Sequence, residues 1–255
     1  MREIMSMGFF GYYVFSVSMP LGGLIFCIIE IFLTKRDEFF GVTTAHCPNT
    51  TCYLPSLSQA TQDFGSFPRR LFWYICIYGT FCHRLPNCFI YRNLYTLTLP
   101  DRRRCRLFFL AMIQVLCGFG VLELVGLAMV CSRYDLHVPG IYVFGLSACV
   151  GFCCHCVLHR ATDLTTRVPR AARAHVAQAI CAVLFLLGGT AFYVFYNMYW
   201  YTCRPFSSEA AMSGEYLMVF SNIGFNSTIW WDFADTNHWV LRKHDERHYR
   251  RLAES

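Results

Sequence analysis

Charge is what this sequence has least of. Only 15% of its residues are Asp, Glu, Lys or Arg, against about 25% in a soluble globular domain. Hydrophobic residues reach 55%, with a mean hydropathy of +0.36. That shortage excludes an ordinary soluble domain and confines charge to short connecting segments. Internal repeats and low-complexity tracts are also missing, which leaves no trace of the inverted repeats of a transporter. A nucleophile elbow and a His-x4-Asp pair are absent, so no catalytic class can be assigned from a motif alone. A cleavable leader is not supported either. Arg2 precedes the first apolar run, but the run is too long for a signal-peptide core and no cleavage site follows, so it reads as a retained signal anchor.

What is present is long apolar runs. They predict an all-α, polytopic six-transmembrane-helix bundle forming a single membrane domain, 1–255. The spans fall at about 8–34, 71–97, 107–131, 140–159, 175–200 and 215–233, with a loop at 35–70 and a tail at 234–255. Six spans argue against a seven-helix receptor. Arg102, Arg103, Arg104 and Arg106 make one loop basic, as do Arg160, Arg167, Arg170 and Arg173 in another. The tail adds Arg242, Lys243, Arg247, Arg250 and Arg251. By the positive-inside rule these segments, and both termini, face the cytosol. The net charge of +6 therefore reads as a membrane-facing basic side rather than a nucleic-acid surface.

The last span organises the rest. Glu215, Asn222 and Asn226 recur at i, i+7 and i+11, so a helix stacks them on one face, and Trp230-Trp231 suits the headgroup level. Polar groups in hydrocarbon must face protein, water or a polar ligand. The second span carries a similar stripe of Thr80, Arg84, Asn87 and Tyr91. Arg84 falls near mid-membrane, with Glu123 of the third span as its natural partner. The pair either joins helices or leaves Arg84 to hold a phosphate or an ester. The predicted lumenal loop contains the sequon Asn49-Thr50-Thr51, flanked by Cys47 and Cys52. A Cys47–Cys52 disulfide is expected there, with Cys203 as the alternative partner. The second sequon, starting at Asn226, is buried in a span.

Two groups of side chains suggest chemistry. Cys153, Cys154, His155, Cys156 and His159 sit together, but consecutive cysteines on one helix point apart and cannot close a tetrahedral site. Helix packing or palmitoylation suits them better, and no metal or cofactor is expected. On the predicted lumenal face lie His46, His137, Asn197, Tyr199 and Glu215, with Glu123 just beneath. Acyl transfer to a lipid hydroxyl needs a base and oxyanion donors. His46 or His137 would be the base, oriented by Glu123 or Glu215, with Asn197 and Tyr199 as donors.

Specific strings carry a resemblance. Thr44-Ala45-His46-Cys47 followed by Tyr53-Leu54-Pro55-Ser56, then Arg84, Tyr91, Asn93 and Tyr95, then Glu123 and His137, resemble the post-GPI attachment to proteins factor 2 family, within the broader DRAM-like membrane family. Asn197-Met198-Tyr199, Glu215-Tyr216, Asn222, Phe225 and Trp230-Trp231-Asp232-Phe233 match as well. The chain departs from the family at three histidines, having Asn226, Phe195-Tyr196 and Gly151 where they fall. The resemblance implies a Golgi or endoplasmic reticulum protein that reacylates lyso-GPI on GPI-anchored proteins with a saturated chain at sn-2. It implies catalytic His46, Glu123 and His137, with Arg84, Asn87, Tyr91, Asn197, Tyr199, Glu215 and Asn222 around the substrate. The partners implied are lyso-GPI, membrane lipid and an unspecified acyl donor, and no nucleic acid. The alternative is a non-catalytic adaptor that presents lyso-GPI to a separate acyltransferase.

Overall fold

The computed structural model describes residues 3–7, 9–34, 36–43, 46–57, 134–161, 169–228 and 239–242, with single positions at 71, 74, 75, 79, 80, 113 and 231. Helices dominate: α1 (Phe9–Thr34), a short α2 (Arg36–Phe39), α3 (Tyr134–Ala161), α4 (Pro169–Thr202) and α5 (Ser207–Ser227). Four short strands, β1 (Glu3–Met7), β2 (Val42–Thr43), β3 (Thr51–Cys52) and β4 (Trp239–Arg242), form two antiparallel ribbons. Among the described residues, three helices contain windows long and apolar enough to cross a membrane: Val17–Thr34, Leu136–Ala161 and Ala171–Thr202. These correspond to the first, fourth and fifth expected spans. The second and third, 71–97 and 107–131, lie almost entirely outside the described residues.

Helix boundaries run beyond the hydropathy limits. α3, at the fourth expected span, begins at Tyr134 rather than 140 and continues through Pro139, which removes one backbone hydrogen bond without ending the helix. The last helix, α5, covers Ser207–Ser227 rather than 215–233. Its extra N-terminal turns are polar in composition, yet Ser207, Ser208, Ala211, Met212 and Gly214 are all buried. Inward-facing polar residues lowered the hydropathy there and hid the helix start.

Among the described residues, α4 and α5 pack most closely. A Cβ at Gly188 would stand 2.7 Å from the Met218 nitrogen, and one at Gly214 would stand 2.6 Å from the Phe192 nitrogen. The two backbones thus touch where only glycine fits, the small-residue contact expected between helices in lipid. Phe152 of α3 stacks on Phe225 of α5 at 3.9 Å and meets Phe185 of α4 edge-on at 5.2 Å, joining the three helices. Leu24 of α1 and Leu57 form a second cluster with Tyr216, Val219 and Ile223 of α5. On the other side of α1, a Cβ at Gly79 would collide with the Met19 side chain.

The strands tie distant pieces together. β1 pairs with β4 through Ser6↔Val240 and Met7↔Trp239, so segments far apart in sequence lie side by side. β2 and β3 pair through Val42↔Cys52 and Thr43↔Thr51 at the far end of α1. Gly41 enters that ribbon with φ +71, a conformation that L side chains rarely adopt.

Candidate functional site

The loop 46–57 is bolted onto the end of α4 and the start of α5. Cys47 is bonded to Cys203, with a Cα–Cα distance of 5.4 Å across a sequence separation of 156. This corrects the expected Cys47–Cys52 pairing. Cys52 is a free thiol in β3 and donates to the Tyr199 hydroxyl at 3.6 Å. Nearness in sequence favoured Cys52, but the ribbon pairs it with Val42, while the 46–50 turn presents Cys47 to the α4–α5 connection. That connection is strained, since Cys203 and Phe206 both have positive φ, 47° and 62°. Such residues cost of order 1 kcal/mol each and persist where surrounding structure over-determines them. Here the restraint comes from the disulfide and from Thr50, whose hydroxyl donates to the Cys203 carbonyl at 2.9 Å.

Two carboxylates of α5 hold the rest of the loop. The Tyr53 N–H donates to Glu209 Oε1 at 3.1 Å, and the Leu57 N–H donates to Glu215 Oε2 at 3.0 Å. Glu215 is only 7% exposed, and Pro55, Ser56 and Leu57 are buried beside it. The Tyr-Leu-Pro-Ser stretch is therefore a rigid rim.

His46 stands at the edge of this rim. Its Nε2–H donates to the Trp200 carbonyl at 2.5 Å, and its ring stacks on the Trp200 indole at 4.4 Å and 20°. A carbonyl oxygen can only accept, so Nε2 carries the proton and, in the neutral ring, Nδ1 keeps its lone pair. Below it, Trp200, Tyr196 and Phe192 form a stacked column along α4, with centroid separations of 6.4 and 5.5 Å. His46 thus caps an aromatic strip that runs toward the apolar middle of the helix.

The other expected residues fare differently. Asn197 is half-buried, but its Nδ2 donates back to the Tyr193 carbonyl at 2.6 Å, which occupies one of its donors inside α4. Tyr199 is buried and packed under the loop rather than facing outward. Asn222 and Asn226 are both buried on the inner face of α5, and Asn226 Nδ2 donates to the Asn222 carbonyl at 2.7 Å. His137 is a half-buried residue within the first turns of α3, not in a connecting loop. Asn49 is exposed on the 46–50 turn. Arg84, Asn87, Tyr91 and Glu123 lie outside the described residues.

Four residues passed over in the sequence prove important locally: Glu30, Gln178, Trp200 and Glu209. Glu30 is the only charged residue among the 26 of α1, a signal that was available. Gln178 is fully buried and pairs with His155 Nε2 at 3.1 Å, while His159 and His175 stack at 5.0 Å. Glu209 precedes the apolar run, outside the expected spans at 175–200 and 215–233. Among the described residues, His46, Cys47 and Cys203 offer ligand atoms within 4.8 Å of one another. Both sulfurs are already in the disulfide, so the group does not suit a metal ion.

The family model described as the Frag1/DRAM/Sfk1/Cwh43P N-terminal domain matches residues 9–236. A Xenopus tropicalis protein named "Acyltransferase PGAP2" is 29% identical over 260 residues, covering 96% of each chain. The Drosophila melanogaster "Post-GPI attachment to proteins factor 2" is 28% identical, covering 87% of this chain and 84% of its own length. The Caenorhabditis elegans protein of that name is 27% identical, covering 95% and 92%. No solved structure matches the chain.

Proposed function

Since the chain belongs to the Frag1/DRAM/Sfk1/Cwh43P family, we propose that it remodels the lipid of GPI anchors, placing a saturated acyl chain on the free sn-2 hydroxyl of lyso-GPI. The reaction is placed in the lumenal leaflet of the Golgi or endoplasmic reticulum membrane. The names of the relatives support the pathway. The observation that carries the chemistry is His46, exposed at the rim with Nε2 committed to the Trp200 carbonyl. In this reading the lyso-lipid hydroxyl gives its proton to His46 Nδ1 as its oxygen attacks the carbonyl carbon of an acyl ester or thioester. The imidazolium then returns the proton to the departing alkoxide or thiolate. The Trp200 carbonyl and the stacked indole hold the ring in one orientation throughout. The acyl chain would lie along the Trp200–Tyr196–Phe192 column. Arg84, Asn87, Tyr91 and Asn222 are assigned to the phosphate and acyl carbonyl, with Glu123 and His137 assisting the base.

The test is a rescue experiment in cells lacking the native protein, read by mass spectrometry of the GPI lipid. Positioned general bases contribute about 10²–10⁴-fold, so His46→Ala is expected to leave lyso-GPI unrepaired while wild type restores the saturated chain. Equal restoration by both would refute the role of His46.

A second reading is favoured by one specific feature, the engagement of both Glu209 and Glu215 by loop backbone. A rim built this way suits an adaptor that presents lyso-GPI to a separate acyltransferase. Purified protein in liposomes would then bind lyso-GPI yet transfer no acyl group from any donor.

A further inference from the structure

We propose that α3 carries an S-acylation site, with Cys153 as the acceptor and Cys156 beside it, modified by a long-chain acyl group from cytosolic acyl-CoA. The side of the membrane follows from the disulfide rather than from lipid chemistry. A Cys47–Cys203 bond belongs in an oxidising compartment and lies just past the C-terminal end of α4. From Pro169 to Thr202 α4 is about 50 Å long at 1.5 Å per residue, more than the hydrocarbon thickness of about 30 Å. Its N-terminal end therefore lies on the opposite, reducing side. α3 ends at Ala161, eight positions before Pro169 begins α4, so the C-terminal end of α3 faces that side too.

That end is rich in free thiols. Cys149, Cys153 and Cys156 recur at i, i+4 and i+7, and Arg160 continues the same stripe. Cys153 is exposed, on a face that also presents Leu146 at 67%, Val150 at 42% and Val157 at 50%. Arg160, also exposed, marks the headgroup level, since its guanidinium must reach water. Cys156 and Cys153 then lie about 6 and 10 Å below it along the axis, within the shallow part of the leaflet. Cys154, only 7% exposed, points into the core and is excluded. The opposite face of this helix end is occupied by His155 and His159, each 1% exposed, so the side of Cys153 is left to lipid, with Cys149 and Cys156 half-buried at its edge.

The step needs no oxidant. The Cys153 thiolate attacks the acyl-CoA carbonyl carbon, a new carbon–sulfur bond forms, the old thioester bond breaks, and coenzyme A leaves as the thiol once it takes the proton. The attached chain would extend over Val150 and Leu146, already apolar and exposed.

The experiment labels cells expressing the full chain with alkynyl palmitate and reads label that hydroxylamine removes. Wild type is expected to be labelled, Cys153→Ser to lose most of the label, and Cys153→Ser with Cys156→Ser to lose the remainder. Cys154→Ser and Cys181→Ser should retain it. Non-reducing peptide mapping of the Cys47–Cys203 bond verifies each fold, and Cys153→Ala provides a second variant read in the same way. The inference is overturned by an unlabelled wild type, or by full labelling when Cys149, Cys153 and Cys156 are all serine. Reacylation of lyso-GPI is read separately and need not change, so the two proposals fail independently.

Discussion

A backbone carbonyl gives one imidazole its chemical character. His46 was legible as a candidate from its loop position, but its orienting partner was expected to be Glu123 or Glu215. The partner in the fold is the Trp200 carbonyl, 154 residues away, and no side-chain pattern can announce a carbonyl. Glu215 shows the complementary case. Its place on a polar stripe predicted burial, and it is buried, but its Oε2 receives the Leu57 N–H rather than facing substrate alone. Removing it leaves a buried N–H without its acceptor, a loss of about 1–3 kcal/mol. Glu215→Ala should therefore lower the thermal midpoint of the detergent-solubilised protein clearly, while Glu215→Gln, which keeps an acceptor oxygen, should lower it less. Equal losses would mean that the loop does not depend on that bond.

Among the elements, the α4–α5 hairpin depends most on what its residues lack. Gly188 and Gly214 were unremarkable in the sequence, where glycine is tolerated in membrane helices, yet each packs against the other helix's backbone. Gly188→Leu or Gly214→Leu should separate the helices and reduce folded yield sharply, whereas Gly11→Leu, with nothing within 4 Å, should be tolerated. Size-exclusion chromatography with helical melting measures the difference. The reversal at 203–206 is fastened from outside the hairpin by Cys47. Cys47→Ser and Cys203→Ser should accordingly show the same loss of stability, and the double variant no more than either. Additive losses would contradict a single shared bond, while a defect in Cys52→Ser as large would point to the other pairing. The start of α5 was not legible because hydropathy scores composition, and Ser207 and Ser208 are buried in spite of theirs.

For the molecule as a whole, the exposed Asn49 and the disulfide share one face, and β1 pairs with β4. If that face is lumenal, Asn49→Gln should abolish a glycosidase-sensitive mobility shift on gels, and Asn226→Gln, at 4% exposure, should not alter it. A shift that survives Asn49→Gln would reverse the orientation. The sequence by itself determined the membrane character, the positions of three apolar helices and the polar face of the last one. These follow from composition and from a 3.6-residue period, both local properties of the chain. Only the tertiary structure decided which cysteine Cys47 meets, which oxygen orients His46 and which backbone groups the α5 carboxylates hold. Each of those contacts joins residues about 150 positions apart, where the geometry of helix packing, rather than any spacing along the chain, selects the partner.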